Sequence, residues 1–223
     1  MTPFVTYRNS VAVLNLGDGE NRFSLDWIDA VDRLLIDILA SPARALVTTA
    51  TGKFYSNGLD LEWLLSQHDR ITWYIDRVQS LLSQLLTFPL PTAAAINGHA
   101  FGAGAMFAIA HDYRVMRSDR GYFCFPEVDI RIPFTTGMAA LIQAKLSPQM
   151  AIDAMTTGHR YGGIDSCTAG LVQCAATEDE VTDAAIKYVE SLAGKDPGTL
   201  AAIKATMFAS VVATLSQTQW HTP

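Results

Sequence analysis

Apolar residues follow two spacings along the chain, one typical of strands and one typical of helices. Short apolar or alternating runs predict strands at residues 5–7, 11–16, 45–49, 93–96, 113–117 and 121–125. Three- and four-residue spacing predicts helices at residues 25–39, 59–65, 72–86, 105–110, 136–146, 148–156, 165–170, 182–192 and 198–215. We therefore predict one α/β domain over residues 1–223, with an interleaved core at about 1–146 and a helical C-terminal region at about 147–223.

The stretch at residues 91–116 carries the strongest local signal. Asn97 and Gly98 end a short apolar strand, and Gly102-Ala103-Gly104 then precede an apolar helical segment. The first turn of a helix has backbone N–H groups without partners inside the helix, and its dipole favours negative charge. Because side chains at this turn are very small, a ligand oxygen can approach those N–H groups closely. The turn is a candidate anion site, although the same residues could serve only to pack the helix tightly against the strand.

Composition and charge exclude several classes of function. Hydrophobic residues make up 49% of the 223 residues and charged residues 17%, which is typical of a folded globular protein. The formal net charge of −6, without a basic stripe, argues against nucleic-acid binding. No apolar run reaches the ~18 residues that a membrane-spanning helix needs, so we predict no membrane partner.

The cysteines and the two ends of the chain predict a cytoplasmic protein. Three cysteines, an odd number without a metal-ligand spacing, predict reduced thiols and no metal site. The first residues, MTPFVTYRNSVAVLNL, lack the basic segment and apolar core of a secretory signal. The last residues, QWHTP, do not match an SKL-type peroxisomal address.

Several segments resemble the motifs of one known family. Residues 52–61 (GKFYSNGLDL) are similar to a G-x-x-F-x-x-G-x-D-hydrophobic loop, and residues 97–104 (NGHAFGAG) to an N-G-x-x-x-G-x-G turn. Residues 125–128 (FPEV) are similar to an F-x-x-P-E segment, and residues 157–172 to a later stretch that begins T-G and ends G-L-V. In this order and at these separations, the segments resemble the enoyl-CoA hydratase/isomerase (crotonase) superfamily.

This resemblance implies a fold, an assembly and a substrate. The fold would be a crotonase (ClpP-like) spiral of ββα units, assembled as a homotrimer or hexamer. The substrate would be an acyl-CoA thioester, with coenzyme A as part of the substrate and no further cofactor. The thioester oxygen would accept hydrogen bonds from the backbone N–H groups of Leu59 and Ala103, which form the family's oxyanion hole. Losing one such donor typically lowers the rate by ~10²–10³.

The resemblance also implies which residues contact the substrate. Arg22 falls where family members contact the phosphates of coenzyme A, and Asp60 is in addition a candidate N-cap for the helix that follows it. The other predicted substrate-binding residues are Asn57, Gly58, Gly102 and Met106. The side chains that could line an acyl pocket, or equally belong to the core, are Trp63, Leu64, Phe101, Met106 and Phe134.

One departure from the family pattern predicts the type of reaction. Hydratases of this family use two glutamates, and here the first position is Met106 while the second is Glu127. A single carboxylate can take a proton from C2 of a 3-enoyl thioester and return one at C4, which is general acid–base catalysis by one shuttling group. We therefore predict a Δ3,Δ2-enoyl-CoA isomerase in which Glu127 is the acid/base. A pocket kept dry by Met106 should raise the pKa of Glu127.

Two other functions stay open from the sequence. Asp129 or Glu62 could supply the second acid of a hydratase, although we expect Asp129 to form an ion pair with Arg131 instead. The protein could also bind acyl-CoA without catalysis. His99, which lies in the glycine turn, is expected to hydrogen-bond to the backbone rather than to a ligand.

Overall fold

The computed structural model, which describes residues 2–217, contains two sheets and a surrounding layer of helices. The strands within these residues are β1 (Phe4–Arg8), β2 (Val11–Asn15), β3 (Ala45–Thr49), β4 (Phe54–Ser56), β5 (Thr92–Ile96), β6 (His99–Phe101), β7 (Tyr113–Arg117), β8 (Phe123–Cys124) and β9 (Cys174–Ala176). The helices are α1 (Leu25–Ala40), α2 (Leu61–Ser66), α3 (Ile71–Leu86), α4 (Ala103–Ala110), α5 (Glu127–Ile130), α6 (Thr136–Lys145), α7 (Pro148–Thr157), α8 (Gly163–Thr168), α9 (Val181–Glu190), α10 (Pro197–Met207) and α11 (Ala209–Leu215). The predicted interleaving of strands and helices is confirmed, whereas the terminal QWHTP segment lies outside the described residues.

The larger sheet has six strands in the order β1-β2-β3-β5-β7-β9. β1 and β2 are antiparallel, and the tight turn between them places Asn9 at a φ of 55°, a left-handed conformation that asparagine tolerates. The remaining neighbours in the sheet are parallel. Parallel neighbours need crossover connections, which explains why helices separate most of these strands in the sequence.

Both faces of the larger sheet are buried. Along β2, Val11 and Val13 belong to a cluster that also contains the apolar residues of α9, while Ala12 and Leu14 face the main core with α1, α3 and α4. Successive side chains of a strand point to opposite faces, so a strand covered on both sides consists almost entirely of apolar residues. This burial explains the short continuous apolar runs in the sequence.

The C-terminal region differs from its prediction in two places. β9 adds a parallel strand beside β7, where only helix was expected, because three residues are too few to show a periodicity. The predicted helix at 198–215 is divided into α10 and α11, which meet at 71°. The break falls at Phe208, which is buried in the main core, and it allows α11 to pack against α6. Within the described chain no single helix is long and apolar enough to cross a membrane, and the bent pair α10–α11 passes that test by length and composition only.

The smaller sheet, with the order β4-β6-β8, was not predicted as a unit. Its strands contain only two or three residues, and β8 is shorter than the strand predicted at 121–125. All three strands are parallel, so their carboxyl ends lie at one edge of the sheet. β4 leads into the loop at 57–60, β6 into the glycine turn before α4, and β8 into the Pro126-Glu127 segment. The smaller sheet thereby brings together three segments that are distant in sequence.

Candidate active site

Three loops are in contact at the carboxyl edge of the smaller sheet. A Cβ atom added to Gly58 would lie 3.0 Å from the backbone nitrogen of Ala103, and one added to Gly102 would lie 3.4 Å from Oε1 of Glu127. Gly58 and Gly102 have φ values of 80° and 51°, which residues with a side chain rarely adopt. The three motif segments therefore form one site, and two glycines allow their backbones to approach one another.

The backbone N–H of Leu59 points away from the protein core. The carbonyl oxygen of Gly58 accepts a hydrogen bond from the Phe23 nitrogen at 2.8 Å. Because the C=O and N–H of a trans peptide point in opposite directions, the Leu59 N–H faces away from Phe23. Ser56 holds this turn, since its Oγ accepts from the Gly58 nitrogen at 3.1 Å and donates to the Asn21 carbonyl at 2.7 Å. Within residues 2–217 the Leu59 N–H donates to no protein group.

The backbone N–H of Ala103 lies at the amino end of α4, which begins two residues earlier than predicted. The Gly102 carbonyl accepts the first hydrogen bond of this helix, from the Met106 nitrogen at 3.0 Å, so the Ala103 N–H points out of the helix end. The Gly102 nitrogen donates to the Cys124 carbonyl at 3.0 Å and thereby ties the turn to β8. Leu59 and Ala103 both line one cavity, so the structure brings the two predicted donors together.

Glu127 is the acidic group of this site. Its side chain is 8% exposed, and within the described chain its Oε2 has no hydrogen-bond partner. Burial raises the pKa of Glu127 from 4.5 to about 7, and a hydrogen bond from its own backbone offsets only part of that rise. The predicted direction of the pKa shift is confirmed, and it gives a carboxyl group that exchanges protons near neutral pH.

The cavity between these groups has a volume of about 290 Å³. Its lining residues are Arg22, Asn57, Leu59, Leu61, Phe101, Gly102, Ala103, Cys124, Pro126, Glu127, Ile130, Ile132 and Arg160. Six of these lining residues were not predicted as site residues: Leu61, Cys124, Pro126, Ile130, Ile132 and Arg160. Ile130 and Ile132 reach the cavity because α5 ends at Arg131, which has a left-handed φ of 58° and lets the Ile132 nitrogen donate to the Glu127 carbonyl at 3.0 Å. Arg160 lies in residues 157–172, the stretch that resembles the family's T-G motif, and this resemblance is the sequence feature that could have indicated it as a site residue.

Several predicted pocket residues lie away from the cavity lining. Met106 is 1% exposed and packs in the main core one turn after Ala103, and its role in substrate binding stays a prediction. Trp63, Leu64 and Phe134 also belong to the core or pack against it, whereas Phe101 lines the cavity.

The two acids considered for a hydratase also lie outside the lining. Asp129 packs against the backbone at Gly158, where an added Cβ atom would lie 2.3 Å from its Oδ2. Within the described chain Asp129 forms no ion pair with Arg131, so that expectation is wrong. Asp129 lies in the helical turn α5, where residues two positions apart project in different directions, so Asp129 and Glu127 do not share a face. Glu62 is exposed on α2.

His99 also differs from its expectation. Its Nδ1 is buried and has no hydrogen-bond partner among residues 2–217, so the expected bond to the backbone is not formed there. The ring instead lies among aromatic side chains, with centroid distances of 4.9 Å to Phe101 and 5.3 Å to Phe54. Burial lowers the pKa of His99, which favours a neutral ring in these surroundings.

Arg22 and Asn57 are connected through Glu20. Arg22 forms an ion pair with Glu20, and the Asn57 Nδ2 donates to the Glu20 Oε2 at 3.1 Å. The hydrogen bond from Asn57, followed by that from Arg22, lowers the pKa of Glu20. Glu20 therefore holds the start of the Leu59 loop and partly neutralises Arg22 at the same end of the cavity.

Asp60 caps α2, as predicted. Its Oδ1 accepts from the Trp63 nitrogen at 3.3 Å, and its own nitrogen donates to the Tyr74 hydroxyl at 3.0 Å. Asp60→Ala should lower the free energy of unfolding by about 1 kcal/mol, because one amide in the first turn loses its acceptor. Urea denaturation checks this value. Asp60→Asn keeps a capping oxygen and should stay close to wild type, and an equal loss in both variants would contradict the capping role.

Comparison with known proteins identifies the family. A family model described as enoyl-CoA hydratase/isomerase matches residues 6–221. The chain belongs to this family. Among curated family relatives from Arabidopsis thaliana, enoyl-CoA delta isomerase 2, peroxisomal, is 36% identical over 200 residues, covering 84% of this chain and 83% of the relative. Enoyl-CoA delta isomerase 3 is 38% identical over 198 residues, with the same coverage.

Comparison with solved structures shows the fold. The crystal structure of a probable enoyl-CoA hydratase, EchA3 from Mycobacterium tuberculosis H37Rv, aligns with a TM-score of 0.89 at 23% identity. The alignment covers 96% of this chain and 92% of that chain. The predicted crotonase fold, a mixed α/β architecture built on parallel sheet, is confirmed.

Proposed function

We propose that this protein is an enoyl-CoA isomerase that moves the double bond of a 3-enoyl-CoA to C2. The observation that carries the proposal is one buried carboxyl group, Glu127, beside the backbone N–H groups of Leu59 and Ala103 in a single cavity. The two Arabidopsis relatives, at 36% and 38% identity, are named enoyl-CoA delta isomerases, which supports the same reaction.

In the proposed reaction Glu127 carries one proton between two carbons. Its carboxylate removes a proton from C2, and the electron pair of that C–H bond forms a dienolate whose oxygen becomes negative. The N–H groups of Leu59 and Ala103 donate to this oxygen and stabilise the charge as it develops. The protonated Glu127 then donates its proton to C4, and the double bond ends between C2 and C3. One proton is taken and one returned, so the reaction consumes no water and needs no cofactor beyond the coenzyme A of its substrate.

A hydratase is the less favoured alternative. Hydration needs groups that both activate a water molecule and handle a proton at carbon, and Met106 cannot transfer a proton. Asp129 and Glu62 do not line the cavity, so neither replaces the missing acid in this arrangement. Acyl-CoA binding without catalysis is a further alternative, because a thioester pocket does not require turnover.

Assays of purified protein with 3-hexenoyl-CoA and, separately, with 2-hexenoyl-CoA, both in ¹⁸O-labelled water, separate the three functions. The expected result is unlabelled 2-hexenoyl-CoA from 3-hexenoyl-CoA. Labelled 3-hydroxyhexanoyl-CoA from 2-hexenoyl-CoA, with no conversion of 3-hexenoyl-CoA, would instead establish a hydratase. Tight binding of hexanoyl-CoA together with no turnover of either substrate would establish a binding protein and refute the proposed isomerase.

The activity should rise with pH through neutrality. Proton removal from C2 requires the carboxylate form of Glu127, whose pKa is about 7. Below that pKa, kcat/KM should fall about tenfold for each pH unit, and above it kcat/KM should level off. Initial rates between pH 5 and pH 9 measure this profile. A profile that stays flat down to pH 5 would contradict Glu127 as a base with a raised pKa.

We further propose a homotrimer or hexamer in the cytoplasm. Exposed apolar side chains on α10, such as Ile203 at 50% and Met207 at 66% exposure, support a contact surface between copies. Free thiols at Cys124, Cys167 and Cys174 support a reducing compartment. Light scattering of the purified protein tests the assembly.

A further inference from the structure

Two arginines line the active-site cavity, and they differ in what neutralises them. Arg22 forms an ion pair with Glu20. Arg160 has no carboxylate within 4 Å among residues 2–217. An unpaired guanidinium on the wall of a cavity can bind a carboxylate or phosphate group, because its planar N–H groups donate hydrogen bonds to two oxygens at once.

The two arginines are carried by segments on either side of β6 in the smaller sheet. Arg22 lies with the loop that follows β4, whereas Arg160 lies beside β8. The position of Arg160 is fixed by its neighbour Tyr161, whose backbone exchanges hydrogen bonds of 2.8 Å and 3.0 Å with Phe123. β6 lies between β4 and β8, and the Ala103 N–H follows β6. The thioester oxygen would therefore bind between the two arginines, with Arg160 on the side away from the predicted contact of Arg22 with coenzyme A.

Arg160 does not serve as the counter-ion of Glu127. The pKa of Glu127 is raised by burial, and the opposing effect comes from its own backbone rather than from a cation. The guanidinium of Arg160 instead lies 5.7 Å from the ring centroid of Phe101, which also lines the cavity. Contact with an aromatic face orients a guanidinium and leaves the N–H groups at its edge free to donate.

Other cations lie near Arg160 in a protein whose net charge is −6. The pKa of His99 is lowered by burial and then by the charges of Lys53, Arg120 and Arg160, without an opposing carboxylate. Asp129, an acid of the same region, packs against Gly158 instead of pairing with Arg160. Burial raises the pKa of Cys124, which lines the same cavity; Arg160 lowers that pKa, and Glu127 and Asp129 raise it. An anionic group near Arg160 is therefore attracted by these cations and repelled by Glu127 when Glu127 is ionised.

Building on the proposed isomerase function, we propose that Arg160 binds a carboxylate at the far end of the acyl chain. The preferred substrates are then short 3-enoyl-CoA thioesters of dicarboxylic acids. The volume of about 290 Å³ suits a short chain, since pockets for larger ligands extend to roughly 1,000 Å³. In this proposal Arg160 determines substrate specificity. The proton transfer by Glu127 is the same whether the acyl chain ends in a carboxylate or in a methyl group.

A matched pair of substrates tests this proposal. The CoA monothioester of 3-hexenedioic acid and 3-hexenoyl-CoA have six acyl carbons each and differ only in a terminal carboxylate or methyl group. Arg160→Met should lower kcat/KM for the dicarboxylic substrate about tenfold, a value at the low end for a charged hydrogen bond because Arg160 is solvent-exposed. The same variant should change kcat/KM for 3-hexenoyl-CoA by less than about twofold. Arg160→Lys keeps the positive charge but loses the planar pair of N–H donors. Its kcat/KM for the dicarboxylic substrate should therefore lie between those of wild type and Arg160→Met.

Control measurements separate this inference from the isomerase proposal. Arg33→Met removes an exposed arginine on α1, outside the cavity lining, and should leave the ratio of the two kcat/KM values unchanged. Calorimetric binding of the saturated hexanedioyl-CoA and hexanoyl-CoA needs no turnover, so it tests Arg160 even if wild type isomerises neither substrate. Selective loss of hexanedioyl-CoA affinity in Arg160→Met supports the proposal. An equal loss of affinity for both ligands would show that Arg160 contacts coenzyme A rather than the acyl chain. Unchanged affinity for both would show that Arg160 contacts neither. Either result overturns the proposal.

Discussion

Glu127→Gln should lower kcat for 3-enoyl-CoA by about 10²–10⁴-fold, because an amide cannot take a proton from C2 and return it at C4. The two side chains have nearly the same shape, so the affinity for a saturated acyl-CoA should stay close to wild type. Steady-state kinetics with 3-hexenoyl-CoA and calorimetry with hexanoyl-CoA measure the two effects. Full activity in this variant would remove Glu127 from the mechanism.

The stability of the same variant separates lost chemistry from lost folding. The pKa of Glu127 is about 7 in the folded protein and near 4.5 when unfolded, so the folded state binds this proton more tightly. The stability contributed by the protonated group is fully present below pH 4.5 and is lost as the pH rises through 7, by up to about 3 kcal/mol. Glutamine does not titrate, so Glu127→Gln should unfold at higher urea than wild type at pH 8 and at similar urea at pH 4.5. A variant less stable than wild type at pH 8 would contradict the burial of an ionised carboxylate.

Gly58→Ala should lower kcat by about 10²–10³-fold, the effect expected for one misaligned oxyanion donor. The new Cβ atom would lie 2.6 Å from the Phe101 carbonyl oxygen and 3.0 Å from the Ala103 nitrogen, and the φ of 80° is strained for alanine. The backbone must shift to relieve this contact, which moves the Leu59 N–H relative to that of Ala103. Kinetics with 3-hexenoyl-CoA measure the loss.

Gly19→Ala is the matched control for this change. Gly19 lies in the loop before α1, has no other atom within 4 Å of an added Cβ atom, and should therefore keep wild-type kinetics. Circular dichroism of both variants checks that they fold. Wild-type kcat in a folded Gly58→Ala protein would show that the Leu59 amide does not contact the thioester oxygen.

Long elements of this fold were predictable because they repeat one pattern many times. α1 and α3 each span sixteen residues, with buried side chains recurring along one face. β4, β6 and β9 contain three residues each, too few to show a periodicity, and β8 was predicted only as part of a longer strand at 121–125. The bend at Phe208 depends on what α11 packs against, which local spacing does not contain.

The sequence by itself determined the chemical groups of the candidate site. The order of the glycine motifs and of Pro126-Glu127 identified the family, and methionine at position 106 left one acid where hydratases have two. These features are local, since each depends on residues within about ten positions of one another.

Only the tertiary structure decided how those groups meet. Parallel pairing of β4, β6 and β8 places Gly58, Gly102 and Glu127 at one edge, although they lie far apart in the chain. The same packing buries Glu127, which raises its pKa to about 7, and sets Arg160 on the cavity wall. Burial and distance are properties of strand order and register, and these are fixed by contacts between segments rather than by the pattern within any one of them.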